Sequence, residues 1–397
     1  MQLACGCETV RRGLKLENCF SDGSFHAEAG KRKISVFIPV YEGSDLLGPL
    51  LERLVNDEYV DKEIFVAVDK PNREFFEIVK RYNGKVHFLL SNERKGKVEA
   101  LNNAVAISSG EILVFLDADV KIGNMEGFLE TVVEEMADTD ILDFKKKILR
   151  DSFISRMVNY EYAGSNFASY LYSKLVGKCF GVGGTAFAIR RNVFKEVGGF
   201  SRVISEDLDL AVKILLKNRK FKYTEKVEVY TKAPSNWKSW LKQRKRWGIG
   251  TGLWIKGYWR KLVRYIAKYP HVALPCAIVL FPTVIPLLFS YICSAFLKVQ
   301  LQNLVPSVLA AQLSFPLPQV IPDSLLSIIF TGLTNFFLGF LAFSFVFYAV
   351  SRRFDFRFNF AEFLVYYFVY QPIAALVLFV GILRAFIFQN HELDWKV

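Results

Sequence analysis

One stretch of the chain is almost free of charge, and it limits the folds that the chain can adopt. Residues 269–350 contain only two formally charged side chains, Lys298 and Asp323. A helix of about 20 apolar residues crosses the roughly 30 Å hydrocarbon core of a bilayer. The sequence therefore predicts an all-α transmembrane domain at 269–390, with about three helices at 271–297, 325–350 and 361–386.

The distribution of Lys and Arg predicts the orientation of this domain. Residues 232–268 hold eleven Lys or Arg and no Asp or Glu, and three arginines follow the second predicted span. Cytoplasmic loops are enriched in Lys and Arg, so both groups are predicted to lie inside. The proline-rich segment 302–322 is then an external or re-entrant loop, and the tail 391–397 faces out.

The basic stretch also contains five of the six tryptophans of the chain. Indole rings sit at membrane interfaces and cationic side chains reach anionic headgroups. Residues 233–268 are therefore predicted to form interfacial amphipathic helices. A basic surface can also bind nucleic acid, but a membrane segment follows directly, so we expect no nucleic-acid partner.

The first 32 residues are polar and basic and lack the apolar core of a signal peptide. We therefore expect a multi-pass protein of the cell membrane whose first folded domain is cytoplasmic. Cys5, Cys7 and Cys19 indicate no disulfide framework, and their spacing with His26 matches no zinc template. Residues 1–32 are predicted to be a poorly ordered tail.

From residue 33 the chain alternates apolar runs with helix-like segments, which is typical of a parallel sheet covered by helices on both faces. Strands are predicted at 33–41, 62–70, 85–92 and 111–119, and helices at 45–56, 73–82 and 97–108. Strands near 141–149 and 186–190, helices at 153–176 and 206–216, and a strand pair near 220–231 follow. The fold class is therefore α/β, with a mostly parallel mixed sheet in a catalytic domain at 33–232.

Two carboxylates, Asp117 and Asp119, come directly after the apolar run EILVFL. Ligands of open α/β sheets bind at the carboxyl ends of the strands. Mg²⁺ binds one or two carboxylates together with substrate phosphates. The pair therefore indicates a site for a diphosphate and Mg²⁺ or Mn²⁺, although most isolated D-x-D sequences are turn or surface acids.

The elements around this pair narrow its interpretation. The first βα turn, PVYEG, contains no G-x-G-x-x-G, which argues against a dinucleotide-dependent dehydrogenase. Asp69 ends the second strand, and Arg94, Lys95 and Lys97 lie in a turn that leads into a helix. A basic turn at a helix N-terminus suits a diphosphate. A solvated loop is the alternative interpretation of these charges.

Ser205, Glu206 and Asp207 begin a predicted helix. Ser205 could cap that helix, and acids are favoured in a first turn, so a purely structural role is one interpretation. The same helix end would favour an ionised Asp207, which could take a proton from an attacking hydroxyl.

Gln243, Arg246 and Trp247 are spaced i, i+3 and i+4, so they share one face of a helix. Arg246 can hold phosphate oxygens in a bidentate fork, and Trp247 offers a flat apolar surface to a sugar. A plain membrane-surface helix would explain the charges and the tryptophans, but not a glutamine in register with them.

In chain order these elements are Asp69, Asp117-Ala118-Asp119, Ser205-Glu206-Asp207 and Gln243-Arg244-Lys245-Arg246-Trp247. The series, over about residues 33–268, resembles the membrane-bound family 2 glycosyltransferases of the cellulose synthase and hyaluronan synthase type, with their D, DxD, (T/S)ED and QxxRW motifs. The resemblance implies a GT-A fold and a metal-dependent, inverting transfer of a sugar. Ser205 stands where the family usually has Thr, and the long synthases also place transmembrane helices before the catalytic domain.

The resemblance also implies a role for each matching residue. The nucleotide base would be contacted by Tyr41, Glu42 and Asp69. The donor and its diphosphate would be held by Lys97, Asp117, Asp119, Gln243 and Arg246, with Asp119 as the metal ligand. The acceptor would be met by Gly184, Thr185, Glu206 and Trp247, and Asp207 would be the general base.

We therefore expect a hexosyltransferase that moves a sugar from a nucleotide-diphosphate sugar, with UDP as the expected nucleotide, to a lipid or lipid-linked acceptor. A processive polysaccharide synthase is the alternative within the family, although about three crossings are few to enclose a polar chain in a bilayer. An inactive nucleotide-sugar-binding scaffold would be expected to have lost one of the motifs. A transporter would need more ionisable residues within its helices.

Overall fold

The computed structural model describes residues 32–41, 43–178, 181–272 and 323–388. Several predictions from the sequence fall outside these residues. They are the N-terminal tail with its cysteines, Glu42, nearly all of the span at 271–297, the loop at 302–322 and the tail at 391–397.

The described residues form one mixed sheet of eight strands in the order β3-β2-β1-β4-β7-β6-β8-β5. The strands are β1 (Ile34–Tyr41), β2 (Lys62–Asp69), β3 (His87–Ser91), β4 (Ile112–Leu116), β5 (Val120–Ile122), β6 (Ile141–Leu149), β7 (Ala186–Arg190) and β8 (Phe221–Lys232). Strands β1 to β4 pair in parallel, β7 runs antiparallel to both β4 and β6, and β5 runs antiparallel to β8. The predicted α/β class with a mostly parallel mixed sheet is confirmed.

The helices of the described residues are α1 (Leu47–Val55), α2 (Arg73–Arg81), α3 (Lys97–Ile107), α4 (Phe128–Glu135), α5 (Phe153–Leu171), α6 (Arg191–Glu196), α7 (Glu206–Leu216), α8 (Trp237–Lys268), α9 (Asp323–Arg353), α10 (Phe360–Val365) and α11 (Gln371–Ile387). A π-helical turn, Tyr172–Val176, continues α5, and a second one, Tyr366–Tyr370, joins α10 to α11. The predicted strands and helices of the four βα units lie within three residues of the observed elements, because each has a clear apolar period.

The period of two along the strands places the core on both faces of the sheet. On one face, Phe37, Phe65, Phe115 and Phe187 stack across β2, β1, β4 and β7 with ring centroids 5.1–5.5 Å apart. On the other face, Ile34, Val36 and Ile38 are fully buried. Burying each such side chain stabilises the fold by about 1.5–3 kcal/mol. The sheet is therefore a rigid support for the loops at its carboxyl edge.

Three parts of the secondary structure differ from the sequence predictions. The predicted strand pair near 220–231 is wrong, because β8 is one strand of 12 residues that stays paired with β6 through a register shift at Phe144/Lys145. The short elements β5, α4 and α6 were not predicted, since none is long enough to show a clear period. Residues 237–268 form one helix of 32 residues, α8, in place of several interfacial helices.

Close packing against α11 supports the continuous helix α8 in spite of its glycines. A Cβ added at Gly248 would lie 2.7 Å from the carbonyl oxygen of Leu378, and one at Gly381 would lie 2.8 Å from Cα of Gly248. Gly252 meets Ala385 in the same way, one turn further along. Small residues four apart on each helix allow such backbone contact, as in packed membrane helices.

Among the described residues, two helical segments are long and apolar enough to cross a membrane, Phe336–Arg353 and Phe360–Ile387. They coincide with the second and third predicted spans. Ion pairs tie the loop between them and the start of α10 to the sheet, with Lys147 Nζ 2.7 Å from Asp355 of the loop and Arg150 2.6 Å from Glu362 of α10. The helices α9 and α10 are thereby anchored to the edge of the sheet that carries β6 and β8.

Candidate active site

Lys97 lies at the centre of a cluster of charged side chains at the carboxyl edge of the sheet. Its Nζ is 2.9 Å from Oδ1 of Asp117 and 3.1 Å from Oε1 of Glu206. Burial alone would lower the pKa of Lys97, but the charges of the two carboxylates outweigh it and raise that pKa. Lys97 is therefore a permanent cation at the point where β4 and α7 meet.

Asp117 and Asp119 both lie where β4 ends, and the backbone N–H of Asp117 donates to the carbonyl of Thr185 at 2.9 Å. Burial raises the pKa of Asp117, although Lys97 opposes the shift. Burial and the charge of Asp117 raise the pKa of Asp119 to about 6. Two carboxylates thus share a region in which nearby cations, Lys97 among them, oppose the rise in their pKa only in part.

Asp207 lies in the first turn of α7, beneath the glycine-rich loop that precedes β7. Its Oδ2 accepts from the backbone N–H of Gly184 at 3.1 Å, and its Oδ1 accepts from the N–H of Leu208 at 2.8 Å. Burial and the charge of Glu206 raise the pKa of Asp207 to about 6. A Cβ at residue 184 would lie 2.8 Å from Oδ2, so a larger residue there would displace the Asp207 carboxylate.

Ser205 does not cap α7 through its side chain, which removes the structural interpretation made for it. Its Oγ lies against α8, where a Cβ at Gly250 would come within 2.0 Å. Glycine at position 250 therefore allows α8 to approach the start of α7 closely.

α8 brings its basic motif to this cluster. Burial lowers the pKa of Arg246, and the charges of Glu206, Asp207 and Asp117 oppose that shift. The Arg246 guanidinium therefore lies near all three acids. Gln243 and Trp247 are half-buried on the same helix. The third and fourth motifs of the predicted series therefore meet in space.

Asp69 and Tyr41 are paired neighbours at the carboxyl ends of β2 and β1. Asp69 is buried, and its Oδ2 accepts from the backbone N–H of Gly96 at 2.7 Å. Gly96 has φ of +97°, a conformation that favours glycine. The ring of Tyr41 is 45% exposed, with the guanidinium carbon of Arg94 4.5 Å from its centroid.

A small cavity lies between the charged side chains around Lys97 and the apolar core. Its polar wall is formed by Lys97, Asp117, Gly184, Glu206 and Asp207, and its apolar wall includes Pro39, Leu101, Phe115, Phe187 and Phe200. Phe115 and Phe187 of the phenylalanine stack thus line one side of this cavity, and the charged cluster lines the other.

Sequence reasoning missed three residues that shape the site. Tyr162 hydrogen-bonds the side chain of Thr185, and burial raises the pKa of its phenol to about 12. Thr231 of β8 donates to Asp119. Glu161 forms an ion pair with Arg244. The only signal for Glu161 is a single acid within the aromatic helix α5, and nothing in the sequence indicates its partner.

Within the described residues, no three His, Cys, Asp or Glu side chains are grouped as a metal site. Among the predicted site residues, Lys97, Asp117, Asp119, Thr185, Glu206, Asp207 and Arg246 come together, and Tyr41 and Asp69 lie at adjacent strand ends. The arrangement combines cations for a polyanion with half-buried carboxylates that could bind a cation or accept a proton.

The family described as glycosyl transferase family group 2 matches residues 112–387 of the chain. A probable glycosyltransferase of Bacillus subtilis is 26% identical over 230 residues, or 55% of each chain. A poly-beta-1,6-N-acetyl-D-glucosamine synthase of Staphylococcus epidermidis is 24% identical over 262 residues, or 60% of this chain and 61% of the relative. The chain thus spans little more than half the length of these two relatives.

One solved structure is similar over most of its length. It is a mannosyltransferase of Pyrobaculum calidifontis in complex with GDP-mannose and Mn²⁺, with a TM-score of 0.53, 17% identity and coverage of 90% of this chain and 88% of that one. The likeness in fold agrees with the GT-A architecture that the sequence motifs imply.

Proposed function

Because the chain belongs to glycosyl transferase family group 2, we propose that it moves a sugar from a nucleotide-diphosphate sugar to a lipid or lipid-linked acceptor at the cytoplasmic membrane face. The observation that carries this proposal is the meeting of Lys97, Asp117, Asp207 and Arg246 at one edge of the sheet. Two cations and two acids in one place suit a transfer that releases a diphosphate and removes a proton.

The donor would lie along the carboxyl ends of β1, β2 and β4. Tyr41 and Asp69 would contact the base, as would Glu42. Lys97 and Arg246, with Gln243 on the same helix, would hold the diphosphate, because charge-assisted hydrogen bonds to phosphate are the strong ones. We expect UDP as the nucleotide, and the GDP-mannose of the similar mannosyltransferase makes GDP the alternative to test.

The acids after β4 fit a divalent metal. Asp119 is a half-buried carboxylate whose pKa is raised to about 6 by partial burial and by Asp117, so a nearby cation would stabilise its charged form. Mg²⁺ and Mn²⁺ prefer such oxygen ligands and take their others from substrate phosphates. Asp119 would hold the ion beside Asp117, and the bound ion would supply positive charge to the departing diphosphate.

Asp207 would act as the general base. The acceptor hydroxyl would lose its proton to this carboxylate as its oxygen bonds to the anomeric carbon and the bond to the diphosphate breaks, which inverts that carbon. The N–H of Gly184 holds the carboxylate in place at 3.1 Å. Glu206, Thr185 and Trp247 would orient the acceptor. A base with pKa of about 6 is ionised at neutral pH and still able to accept a proton.

The membrane location rests on the exposed surfaces of α9 and α11. Their exposed apolar side chains include Phe336, Phe337, Phe345, Phe379, Leu383 and Phe386. Exposed apolar patches of this kind mark contact with lipid or another apolar surface. A lipid-borne acceptor would then reach an active site that α8 and α11 hold beside the bilayer.

A processive polysaccharide synthase is the second candidate, favoured by the name of the Staphylococcus epidermidis relative. Product size separates the two. The full chain in lipid nanodiscs with Mn²⁺ would be given radiolabelled UDP-glucose, UDP-N-acetylglucosamine and GDP-mannose in turn, with the Asp207→Asn variant as control. Discrete organic-extractable products support the proposal, and a glycosidase-sensitive ladder supports the synthase. Absence of transfer from every donor would contradict both.

A further inference from the structure

Arg244 is the most deeply buried cation of α8, with 3% of its surface exposed. Its guanidinium carbon lies 4.3 Å from the ring centroid of Trp247 and 5.6 Å from that of Trp240. Its Nη2 forms an ion pair with Oε2 of Glu161 and lies 3.4 Å from the hydroxyl of Tyr370. The guanidinium is thus fixed by α5 on one side and stacked against Trp247 on the other.

Tyr370 is itself held by a second bond from α8. The indole Nε1 of Trp240 donates to its hydroxyl at 2.8 Å. Tyr370 ends the π-helical turn Tyr366–Tyr370, which interrupts the helix that continues as α11. Such turns are rare, insert one extra residue, and are frequent at functional sites. The turn places the Tyr370 hydroxyl against α8 within a segment apolar enough to cross a membrane.

Packing alone does not explain a buried ion pair at this position. Removing two charges from water costs several kcal/mol per ion, and apolar residues of similar volume often stabilise a protein equally well. An arginine does provide a planar cation that stacks on indole while bonding a carboxylate in its plane. The Glu161 pair therefore fixes the orientation of the guanidinium, and the guanidinium fixes the orientation of the indole.

We propose that Arg244 is a positioning residue that holds Trp247 in the orientation that meets the acceptor, and that Glu161 and Tyr370 hold Arg244 in turn. This inference rests on the proposed function, because Trp247 is assigned there to the acceptor. Through Tyr370, the placement of the acceptor platform depends on the α10–α11 segment as well as on the catalytic domain.

The first test measures the orientation of Trp247 without any turnover. The full chain is labelled with 5-fluorotryptophan in detergent, and the ¹⁹F resonance of Trp247 is assigned from the Trp247→Phe variant. Arg244→Lys keeps the charge but loses the planar fork, and Tyr370→Phe removes one partner. Both should shift or broaden the Trp247 resonance. The control is Arg260→Lys, since Arg260 lies over the exposed Trp259 at 5.3 Å on the same helix.

The second test measures sugar transfer to dioleoylglycerol in phosphatidylglycerol vesicles, with the donor that is active with the wild-type chain. The affinity of each variant for UDP and for GDP is measured separately in the presence of Mn²⁺. Arg244→Lys should lower kcat/KM for the acceptor about tenfold while nucleotide affinity stays within about twofold. In a Trp247→Phe background the same change should cost less than about twofold, because the two residues act as one unit.

Equal losses in both backgrounds, an unchanged Trp247 resonance, or a parallel loss of nucleotide affinity would each overturn the inference. Wild-type transfer together with any of these results would leave the proposed function intact. Lack of transfer by the wild-type chain with every donor and every lipid would instead contradict the proposed function, and this inference would fall with it.

Discussion

The ammonium nitrogen of Lys97 lies 2.9 Å from a carboxylate oxygen of Asp117. This cation also acts on Asp207, whose pKa is raised to about 6 by burial and by Glu206 and is held down by Lys97. Removing Lys97 should therefore raise the pKa of the proposed base further. The effect would extend from the proposed donor side of the site to the proposed acceptor side.

Lys97→Gln should move the acidic limb of the pH profile of kcat/KM to higher pH, because Asp207 must be ionised to accept a proton. It should also lower kcat/KM at the optimum by about ten- to a hundredfold, from the roughly 1.5–3 kcal/mol of a charged hydrogen bond. Lys85→Gln, at an exposed position, is the matched control. A loss of kcat/KM that is equal at every pH, with no shift of the acidic limb, would show that Lys97 acts only on the donor.

Asp207→Asn should lower transfer by about 10²–10⁴-fold, the usual contribution of a general base, with nucleotide affinity nearly unchanged.

The Asp207 carboxyl should also make the stability of the wild-type chain depend on pH. The folded pKa of about 6 lies above the ordinary 3.8, so this carboxyl stabilises the fold at low pH, and that contribution is lost as pH rises through 6.

The Asn variant should consequently gain stability over the wild-type chain between pH 5 and pH 8, by on the order of 1–3 kcal/mol. Thermal unfolding in detergent at the two pH values measures the difference. An equal change in Tm at pH 5 and pH 8 would show that Asp207 does not carry the raised pKa.

Asp119→Asn should weaken Mn²⁺ binding in the presence of UDP at least tenfold and remove most transfer, because one charged ligand becomes neutral. Mn²⁺ electron paramagnetic resonance measures binding independently of turnover. Asp45→Asn, at a side chain that is 94% exposed, should change neither quantity. Robust turnover in the presence of a chelator would rule out the metal.

Gly248→Ala should destabilise the α8–α11 contact by about 1–3 kcal/mol, because the new methyl group meets backbone atoms that cannot move aside. Gly257→Ala, on the same helix with open space around it, should stabilise the chain by about 0.5–1 kcal/mol through helix propensity. Unfolding temperatures of the two variants in one detergent compare them. Similar values would mean that α8 and α11 do not pack as described.

Arg246→Ala should reduce catalysis more than Lys242→Ala, since Arg246 is half-buried near the acids of α7 whereas Lys242 is exposed. Both variants should lower binding to phosphatidylglycerol vesicles slightly, as either loses one positive charge. Initial rates and vesicle sedimentation give the two quantities. Equal losses of rate in the two variants would show that the basic motif acts only as an anchor at the membrane surface.

The sequence by itself determined the elements with a strong local period. Strands β1 to β4 and helices α1 to α3 are short, amphipathic or fully apolar units bounded by polar turns, so their positions are visible without any long-range contact. The same holds for Asp117 and Asp207, whose places at a strand end and a helix start follow from neighbouring residues. The order of motifs along the chain was likewise sufficient to indicate the family.

Only the tertiary structure decided which side chains meet across distant segments. The bond from Gly96 to Asp69, the ion pair of Arg244 with Glu161, and the contact of Gly250 with Ser205 join residues far apart in the chain. The single helix α8 has the same origin, because Gly248 and Gly252 are held in it by packing on α11 and not by local propensity. Contacts of this kind depend on how finished elements fit together, and no periodicity along the chain records that fit.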